Sequence, residues 1–211
     1  MIKFEHPEVW GWEHAIRGMR NPLNSWDKSD SAGDQLGQND LSLMRRLIRA
    51  GSSHRKFLRQ IFVSVDITAP LYWWKEYDTY KVGTVANSCS TMHKITAKEF
   101  TLDDFSHEHL SDFSSHPENV QDPITILSST IKTLNSCREC YIKEKDNFFW
   151  WQIIQLLPQS YNQRRTVTLT YENLLNMVSQ RRGHKLDEWH DFCDWVFTLP
   201  YAEELLKEGL K

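Results

Sequence analysis

The alternation of apolar and polar side chains from Gln60 to Thr68 constrains the fold of this chain more than any other feature. Successive side chains of a strand point to opposite faces, so one face of this segment is expected to be buried. That face carries Ile61, Val63, Val65 and Ile67. Ala69-Pro70 ends the strand, and the proline is placed to start a short helix through Tyr77. The segment predicts a strand that runs directly into a helix.

Apolar residues recur at helical spacing in much of the remaining chain. Asn39 or Asp40 is expected to cap a helix that Gly51 stops, and Asp122-Pro123 is expected to start another. The predicted helices span residues 8–20, 40–50, 123–145, 147–157, 170–182 and 187–196, and a second extended piece spans 79–85. Together they predict an α+β fold, helix-rich, with a small antiparallel sheet, in a single domain over residues 1–211.

Composition argues against several classes of function. A net charge of −3 provides no basic field, so we expect no nucleic-acid partner. No apolar run reaches the length of a membrane span, and the first residues lack the apolar core of a signal peptide, so no membrane association is expected. Four cysteines are too few for a secreted disulfide scaffold, which predicts a reduced, cytoplasmic protein. Nine tryptophans indicate aromatic-lined interfaces or pockets.

Polar and basic residues cluster near predicted element ends, which is typical of a pocket for a phosphorylated ligand. Lys81 stands close to Gly83, and a cation beside a glycine-containing turn suits a phosphate, although a surface lysine needs no ligand. Ser88 and Ser90 flank Cys89, and their hydroxyl and backbone N–H groups can bind a phosphate or a base edge. Polar triplets are also common in loops without a ligand.

Arg181 is the sharpest single candidate for binding an anion. Leu174, Met177 and Arg181 share one helix face, which places a cation at the end of an apolar stripe. The alternative is a favourable interaction with the helix C-terminus. Arg182 is available for that second role, which favours a ligand for Arg181. Asn176 adjoins the stripe and either binds an adenine or ribose or stands exposed without a role.

The chain offers no metal site and no nucleophile motif. Cys137 and Cys140 form a lone CxxC inside a helical pattern, with no second pair for zinc. His107, His109 and His116 lack the HExxH spacing that sets two imidazoles on one helix face. No Walker loop, GxGxxG or GxSxG sequence occurs.

The order of these elements resembles that of the flavin-dependent thymidylate synthases. In that family a histidine begins a passage into a strand that ends in an apolar residue and a proline. A short helix then leads into the signature Arg-His-Arg-x-x-Ser-x-Asn-Glu-x-Ser-x-Arg. This chain has His54, the strand, Ala69-Pro70 and the short helix at matching distances. Thr79–Met92 is similar to the signature. Thr170–Arg181 is similar to the family's C-terminal block, Asn-Leu-Arg-Ser-Leu-x-x-Phe-x-x-x-Arg, and Leu157-Pro158 precedes it as in the family.

The chain departs from the family at the cationic positions, although the likeness covers about residues 40–205. Thr79-Tyr80-Lys81 replaces Arg-His-Arg, and Met92 replaces the final arginine of the signature. Further positions where the family has an asparagine or an arginine carry Thr170, Glu172 and Ile154.

The resemblance implies an activity and a set of ligands. In the family, FAD reduced by NADPH carries a one-carbon unit from methylenetetrahydrofolate to the uracil ring of dUMP, which yields dTMP. The residues that would hold and polarise dUMP are Lys81, Ser88, Ser90 and Arg181, with Lys81 and Ser88 in the catalytic role. Those that would contact FAD are His54, Tyr80, Asn87 and Asn176.

The resemblance also implies a homotetramer with sites between subunits, and the aromatic run 148–151 is a candidate interface element. Residues 25–39 and 103–122 are expected to be loops, and the first of them could order over a ligand. Two other functions stay open. One is a catalytically degenerate relative that binds a nucleotide or flavin, and the other is a tryptophan-rich interaction protein without a small ligand.

Overall fold

The computed structural model describes residues 2–111 and 121–210. In chain order the strands and helices are β1 Lys3–Trp10, α1 Trp12–Arg20, α2 Gln38–Arg49, β2 Phe62–Pro70, α3 Leu71–Tyr77, β3 Val85–Ser88, α4 Thr91–Lys94, α5 Pro123–Glu144, α6 Asn147–Leu156, β4 Asn162–Thr170, α7 Tyr171–Arg181, α8 Asp187–Val196 and α9 Ala202–Gly209. The predicted fold class, helix-rich with a small antiparallel sheet, is confirmed. Among the described residues, no helix is both long enough and apolar enough to cross a bilayer.

The sheet has the strand order β1-β2-β4-β3. The predicted strand is β2, and all four residues of its predicted apolar face are buried. Its partner β4 runs antiparallel, because Tyr171 N–H donates to Ile61 O and Leu71 N–H donates to Tyr161 O, each at 3.0 Å. Strand β4 was not predicted, since the buried Gln163 interrupts the apolar alternation of that segment. Both strands continue without a loop into a helix, β2 into α3 and β4 into α7.

The chain divides into two compact units. Unit 1 comprises residues 68–76 and the described part of 88–164, and unit 2 comprises residues 2–67, 77–87 and 165–210. The expectation of a single domain stays a prediction.

The core of unit 1 is an apolar cluster from α5, α6 and the segment between α4 and α5. Its buried members are Ile95, Phe100, Phe105, Leu127, Ile131, Leu134 and Ile153. The expectation that 103–122 is an exposed loop is wrong at Phe105 and Ser106, which are buried; residues 112–120 lie outside the described part. In α6 only Ile153 is buried, whereas Phe148 and Trp151 are 60% and 51% exposed. Helix α6 therefore contributes one face to this core and leaves an aromatic face uncovered.

In unit 2, the predicted helix over residues 8–20 begins later than expected. Residues 3–10 form strand β1, and α1 starts at Trp12. The break occurs at Gly11, whose φ of +97° is left-handed. A Cβ at this position would lie 2.1 Å from the carbonyl oxygen of Gln60, so the backbones approach too closely for any other residue.

A buried ion pair joins the two N-terminal helices of unit 2. Arg20, the last residue of α1, donates from Nε to Oδ1 of Asp40 at 2.6 Å. Its Nη1 donates to Ser25 O at 3.1 Å, and its Nη2 donates to Lys28 O at 3.0 Å. The other carboxylate oxygen of Asp40 accepts hydrogen bonds from the hydroxyls of Ser29 and Ser31, each at 2.7 Å. The pair therefore organises the loop between α1 and α2 from the inside.

The carboxylate of Asp40 belongs to this ion pair and does not cap α2. The helix begins at Gln38, and the carboxylate of Asp30 accepts hydrogen bonds from the backbone N–H groups of Asn39 and Asp40 at 2.9 and 3.1 Å. An N-terminal cap is thus supplied from the preceding loop. The predicted loop at 25–39 is confirmed in outline, with a short 3-10 turn at Trp26–Lys28.

The environment of Asp40 lowers its pKa. Burial raises the pKa of the carboxyl, but hydrogen bonds from Ser31, Ser29 and Arg20, together with the charge of Arg20, outweigh this effect. Because the pKa in the folded state lies below that of the unfolded chain, the contribution to stability is full above about pH 4 and is lost as the pH falls through the lowered pKa.

We expect Asp40→Asn to lower the free energy of unfolding by about 3–5 kcal/mol, because Arg20 stays buried without a counter-charge. Urea unfolding at pH 7 measures this change. Asp34→Asn is the matched control, since Asp34 is an exposed residue of the same loop. The difference between wild type and Asp40→Asn should shrink below about pH 4. Equal stabilities of the two Asn variants at pH 7 would show that the pair is dispensable.

Candidate functional site

The segment that follows α3 forms a tight turn at the surface of unit 2. Tyr80 N–H donates to Tyr77 O at 3.0 Å, and the Thr84 hydroxyl donates to the carbonyl of Tyr80. The prediction of an extended piece over 79–85 is therefore wrong for most of its length, and strand β3 begins only at its end. These two hydrogen bonds occupy backbone groups that would otherwise pair with a neighbouring strand.

Asn173 ties this turn to the beginning of α7. Its Oδ1 accepts hydrogen bonds from the N–H and the hydroxyl of Thr170 at 3.0 and 2.7 Å, while its own N–H donates to Thr170 Oγ1 at 3.3 Å. This reciprocal capping box starts the helix. The Nδ2 of Asn173 donates to Val82 O at 2.7 Å. The next residue, Gly83, has a left-handed φ of +77°, and a Cβ there would lie 3.2 Å from Asn173 Oδ1.

The end of α7 meets the same turn in a group that we name the Arg181 cluster, which comprises Tyr80, Gln180, Arg181 and Trp189. Arg181 Nε donates to the Tyr80 hydroxyl at 2.9 Å, and that hydroxyl donates to Gln180 Oε1 at 3.0 Å. The guanidinium carbon lies 5.0 Å from the centre of the Trp189 ring and 5.6 Å from that of Tyr80. Hydrogen bonding and cation–π contact therefore fix the half-buried guanidinium in place.

The Arg181 cluster packs against buried aromatic side chains of α8. Trp189 is fully buried on α8 and packs edge-on against Phe192, with ring centres 5.4 Å apart. A planar cation that is held by packing in advance loses little side-chain entropy when it binds a ligand. The turn that carries Lys81 and the end of α7 meet in unit 2 through the contact of Tyr80 with Arg181. The ligand roles of Lys81, which is exposed, and of Arg181 stay predictions.

Ser88 and Ser90 belong to unit 1, where the backbone between them is held by β4. Cys89 N–H donates to a β4 carbonyl at 2.9 Å, and the Cys89 carbonyl accepts a side-chain amide of β4 at 2.9 Å. Ser90 Oγ accepts the N–H of His93 at 3.1 Å and so caps α4. The backbone N–H of Cys89 is thus committed to the sheet, whereas the Ser90 hydroxyl can still donate and Ser88 is exposed.

The three remaining predicted site residues lie elsewhere in unit 2. Asn87 is exposed at the end of β3, and Asn176 is half-buried on α7, where its carbonyl accepts the Ser179 hydroxyl at 2.8 Å. His54 is exposed and lines a cavity of about 510 Å³. No other predicted site residue lines that cavity, so the structure brings Tyr80 and Arg181 together but does not add His54 to their cluster.

Glu172, one of the departures from the family pattern, has a structural partner. Glu172, where the resemblance expects an arginine, is buried and accepts Arg55 Nε at 3.1 Å and Arg55 Nη2 at 3.1 Å through its two carboxylate oxygens. This paired contact fixes the first turn of α7 to the residue that follows His54. Thr170, where an asparagine was expected, serves as the cap of the same helix.

Three residues of the site were missed by sequence reasoning. Asn173 could have been found, because Thr170 with Asn173 three residues later approximates the capping-box spacing. Gln180 and Trp189 could not, since their contacts with Tyr80 and Arg181 depend on how α7, α8 and the turn pack together. Trp189 was expected only as an apolar helix residue.

The donor set has the chemistry that the implied ligands require. Lys81 is an exposed, compact cation of the kind that suits a phosphate, and Arg181 is a fixed cation of the kind that suits a polarised carbonyl oxygen. The side-chain amides of Asn87 and Asn176 each carry a hydrogen-bond donor and an acceptor. This matches the alternating donors and acceptors along the edge of a flavin or uracil ring. These residue types fit a phosphorylated nucleotide and a flavin.

Comparison with known proteins finds the likeness in structure rather than in sequence. No family model matches the chain. No curated protein matches it by sequence either.

Three solved structures share the fold. Thymidylate synthase X from Helicobacter pylori with FAD and dUMP superposes with a TM-score of 0.70 at 15% identity, covering 100% of each chain. A second structure of the flavin-dependent thymidylate synthase from Helicobacter pylori, complexed with FAD and dUMP, gives 0.68 at 16% identity, covering 100% of this chain and 99% of that one. A UMP/dUMP methylase from Streptomyces cacaoi bound with 5-Br dUMP gives 0.65 at 14% identity, covering 99% and 94%. This chain has the fold of these proteins.

We expect Tyr80→Phe to reduce the free energy of unfolding by about 0.5–1.5 kcal/mol, because it removes the hydroxyl that both Arg181 and Gln180 contact. Urea unfolding measures the change. Tyr141→Phe on α5 is the control, since its ring stacks under Lys145 and keeps that contact without the hydroxyl. An unchanged stability for Tyr80→Phe would mean that the hydroxyl does not hold the Arg181 cluster together in solution.

Proposed function

We propose that this protein catalyses the flavin-dependent methylation of dUMP to dTMP, with methylenetetrahydrofolate as one-carbon donor, NADPH as reductant and FAD as cofactor. The observation that carries this proposal is the Arg181 cluster, set in a fold that matches nucleotide-methylating enzymes over 94–100% of their chains. The cluster unites the two segments that resemble the family's signature and its C-terminal block.

Each proposed role follows from the chemistry of the side chain. Arg181 would stabilise negative charge that develops on a uracil carbonyl oxygen, because its guanidinium is fixed in advance by Tyr80 and Trp189. Lys81 would bind the phosphate as a compact charge. Ser88 and Ser90 would bind the uracil edge through hydroxyl groups, and Ser88 with Lys81 would carry the catalytic role that the resemblance implies.

FAD, when bound, would supply the reducing equivalents that turn the transferred one-carbon unit into a methyl group. The residues proposed to hold it are His54, Tyr80, Asn87 and Asn176. The hydroxyl of Tyr80 already donates to Gln180 and accepts from Arg181, so we propose that Tyr80 contacts the flavin through its ring.

A second candidate function is nucleotide or flavin binding without turnover. Two positions where the resemblance expects an arginine favour this candidate, because neither carries a positive charge. Glu172 is a buried carboxylate paired with Arg55, and Met92 is an uncharged, 50% exposed side chain. A chain without these charges can keep the fold and bind a ligand but lose catalytic turnover.

We also propose a cytoplasmic homotetramer, as the resemblance implies. The uncovered aromatic face of α6, which includes Phe148 and Trp151, supports association, because exposed apolar patches of this kind commonly mark interfaces.

Absorbance and turnover separate the candidate functions. The proposal expects flavin absorbance near 450 nm in the purified protein or after addition of FAD, together with release of tritium from C5-labelled dUMP when NADPH and methylenetetrahydrofolate are present. Flavin binding without tritium release selects the degenerate relative. Absence of both flavin and dUMP binding refutes the proposal and favours an interaction protein.

Arg181→Ala should weaken dUMP binding by about 1.5–3 kcal/mol, the range for a charged hydrogen bond. Isothermal titration of the full chain with dUMP measures the loss. Arg182→Ala is the matched control, because Arg182 is adjacent and exposed. Circular dichroism verifies that both variants fold. Equal dUMP affinity in the two variants would remove Arg181 from the substrate site.

A further inference from the structure

Helix α5 carries two free thiols that the proposed function does not use. Cys137 and Cys140 lie one turn apart in the second half of this 22-residue helix, and both are half-buried. Residues three apart in a helix are neighbours on one side of it. Burial raises the pKa of the Cys137 thiol, and the charge of Cys140 raises it further. The two sulfurs are therefore close enough to interact, and they form a pair of ligands.

The backbone that carries this pair is fixed by side chains at neighbouring positions of α5. Asn135 donates from Nδ2 to Phe100 O at 2.9 Å, and its Oδ1 accepts Phe100 N–H at 2.8 Å. Arg138 donates from Nε to Thr96 O at 3.0 Å. Cys137 itself packs against the apolar core of unit 1. A ligand pair on such a preordered helix binds without a large entropy cost for the backbone.

The helical spacing of the pair disfavours a disulfide. The Cβ atoms of residues three apart in a helix are separated by about 5–6 Å, whereas a disulfide needs about 3.5–4.5 Å. Closing an S–S bond would distort a helix that Asn135 and Arg138 hold in place. Two sulfurs that bind one metal ion lie up to about 4.6 Å apart, because each metal–sulfur bond is about 2.3 Å long. The spacing therefore suits an ion between the sulfurs.

The number of available ligands selects the kind of ion. The expectation from sequence that the chain has no metal site rested on zinc, which takes four ligands in structural sites. In the part of the chain that the structure describes, no group of three or more His, Cys, Asp or Glu side chains could hold a metal ion. Monovalent copper is a soft ion that thiolates select, and two sulfurs in a line satisfy it. A pair of thiols without further ligands therefore favours monovalent copper over zinc.

One thiol of the pair is accessible from a groove between α5 and α6. The groove has a volume of about 270 Å³ and is lined by Thr133, Cys137, Gln152, Gln155 and Leu156. This lining contains no charged side chain, so it offers no cation that would repel an approaching metal ion. Copper can therefore reach Cys137 without unfolding of the helix.

We propose that Cys137 and Cys140 bind one monovalent copper ion through both sulfurs. The ligands are thiolates, so binding releases one proton from each thiol to the solvent, and the oxidation state of copper does not change. The site shares no residue with the proposed dUMP and FAD sites. It does not depend on the proposed function, and Arg181→Ala should bind copper as the wild type does.

Competition with a coloured chelator tests the proposal. The reduced full chain is titrated, without oxygen, into monovalent copper held by bicinchoninate. We expect the chain to remove about one copper ion per chain, with release of protons to the buffer. Gel filtration should show the same size with and without copper. No removal of copper, or one copper ion per two chains with an increase in size, would overturn the proposal.

Matched variants assign the copper to this pair. Cys137→Ser and Cys140→Ser should each lower copper affinity by at least about 100-fold, since even the partners of a metal ligand are worth about 10–100-fold. Cys89→Ser is the control, because Cys89 is an exposed thiol outside α5 and its loss should leave copper binding unchanged. Thermal unfolding verifies folding, and Cys140→Ala provides a second variant. Wild-type copper affinity in the folded Cys140 variants would contradict the assignment.

Oxidation tests the spacing on which the proposal depends. The copper-free chain is incubated with oxidised glutathione, and its disulfides are identified by mass spectrometry under native conditions. We expect no disulfide between Cys137 and Cys140, because the helix keeps their Cβ atoms too far apart. A disulfide between them, formed while circular dichroism shows unchanged helix content, would refute the geometric argument for a metal ion.

Discussion

The buried pair of Arg20 and Asp40 holds together the N-terminal half of unit 2. Each terminal nitrogen of Arg20 donates to a backbone carbonyl of the loop between α1 and α2, and the second carboxylate oxygen of Asp40 accepts hydrogen bonds from two serine hydroxyls of that loop. Such a pair is costly to desolvate, and these additional hydrogen bonds offset part of that cost. Its main consequence is geometric, because Ser25 and Lys28, whose carbonyls Arg20 holds, line the same cavity as His54.

Helix α7 performs the corresponding task around the Arg181 cluster. Its first turn is capped by Thr170 and Asn173, and Asn173 also holds the turn that carries Tyr80. Its last residue, Arg181, reaches the same turn from the other end of the helix. One helix therefore contacts both sides of a short surface turn.

The predictions from sequence were correct where the pattern depends on residues close together in the chain. The buried face of β2, the start of α5 after Asp122 and the extent of α6 were all predicted closely, because periodicity and capping chemistry are local. Strand β4 was not predicted, because the buried Gln163 interrupts its apolar alternation. Strand β1 was predicted as the first part of a helix, whereas the helix begins only after Gly11. Both failures involve a neighbouring backbone that the segment itself does not reveal.

The sequence alone determined the helix-rich fold class, the strand leading into α3, and the likeness of two distant segments to one enzyme family. Those features depend on spacing, and spacing is preserved when individual residues change. Only the tertiary structure decided that Tyr80 holds Arg181 over Trp189, that Glu172 pairs with Arg55, and that Lys28, Arg46 and Lys56 surround one cavity. Such contacts join residues far apart in the chain, and their partners are selected by packing and charge compensation in three dimensions.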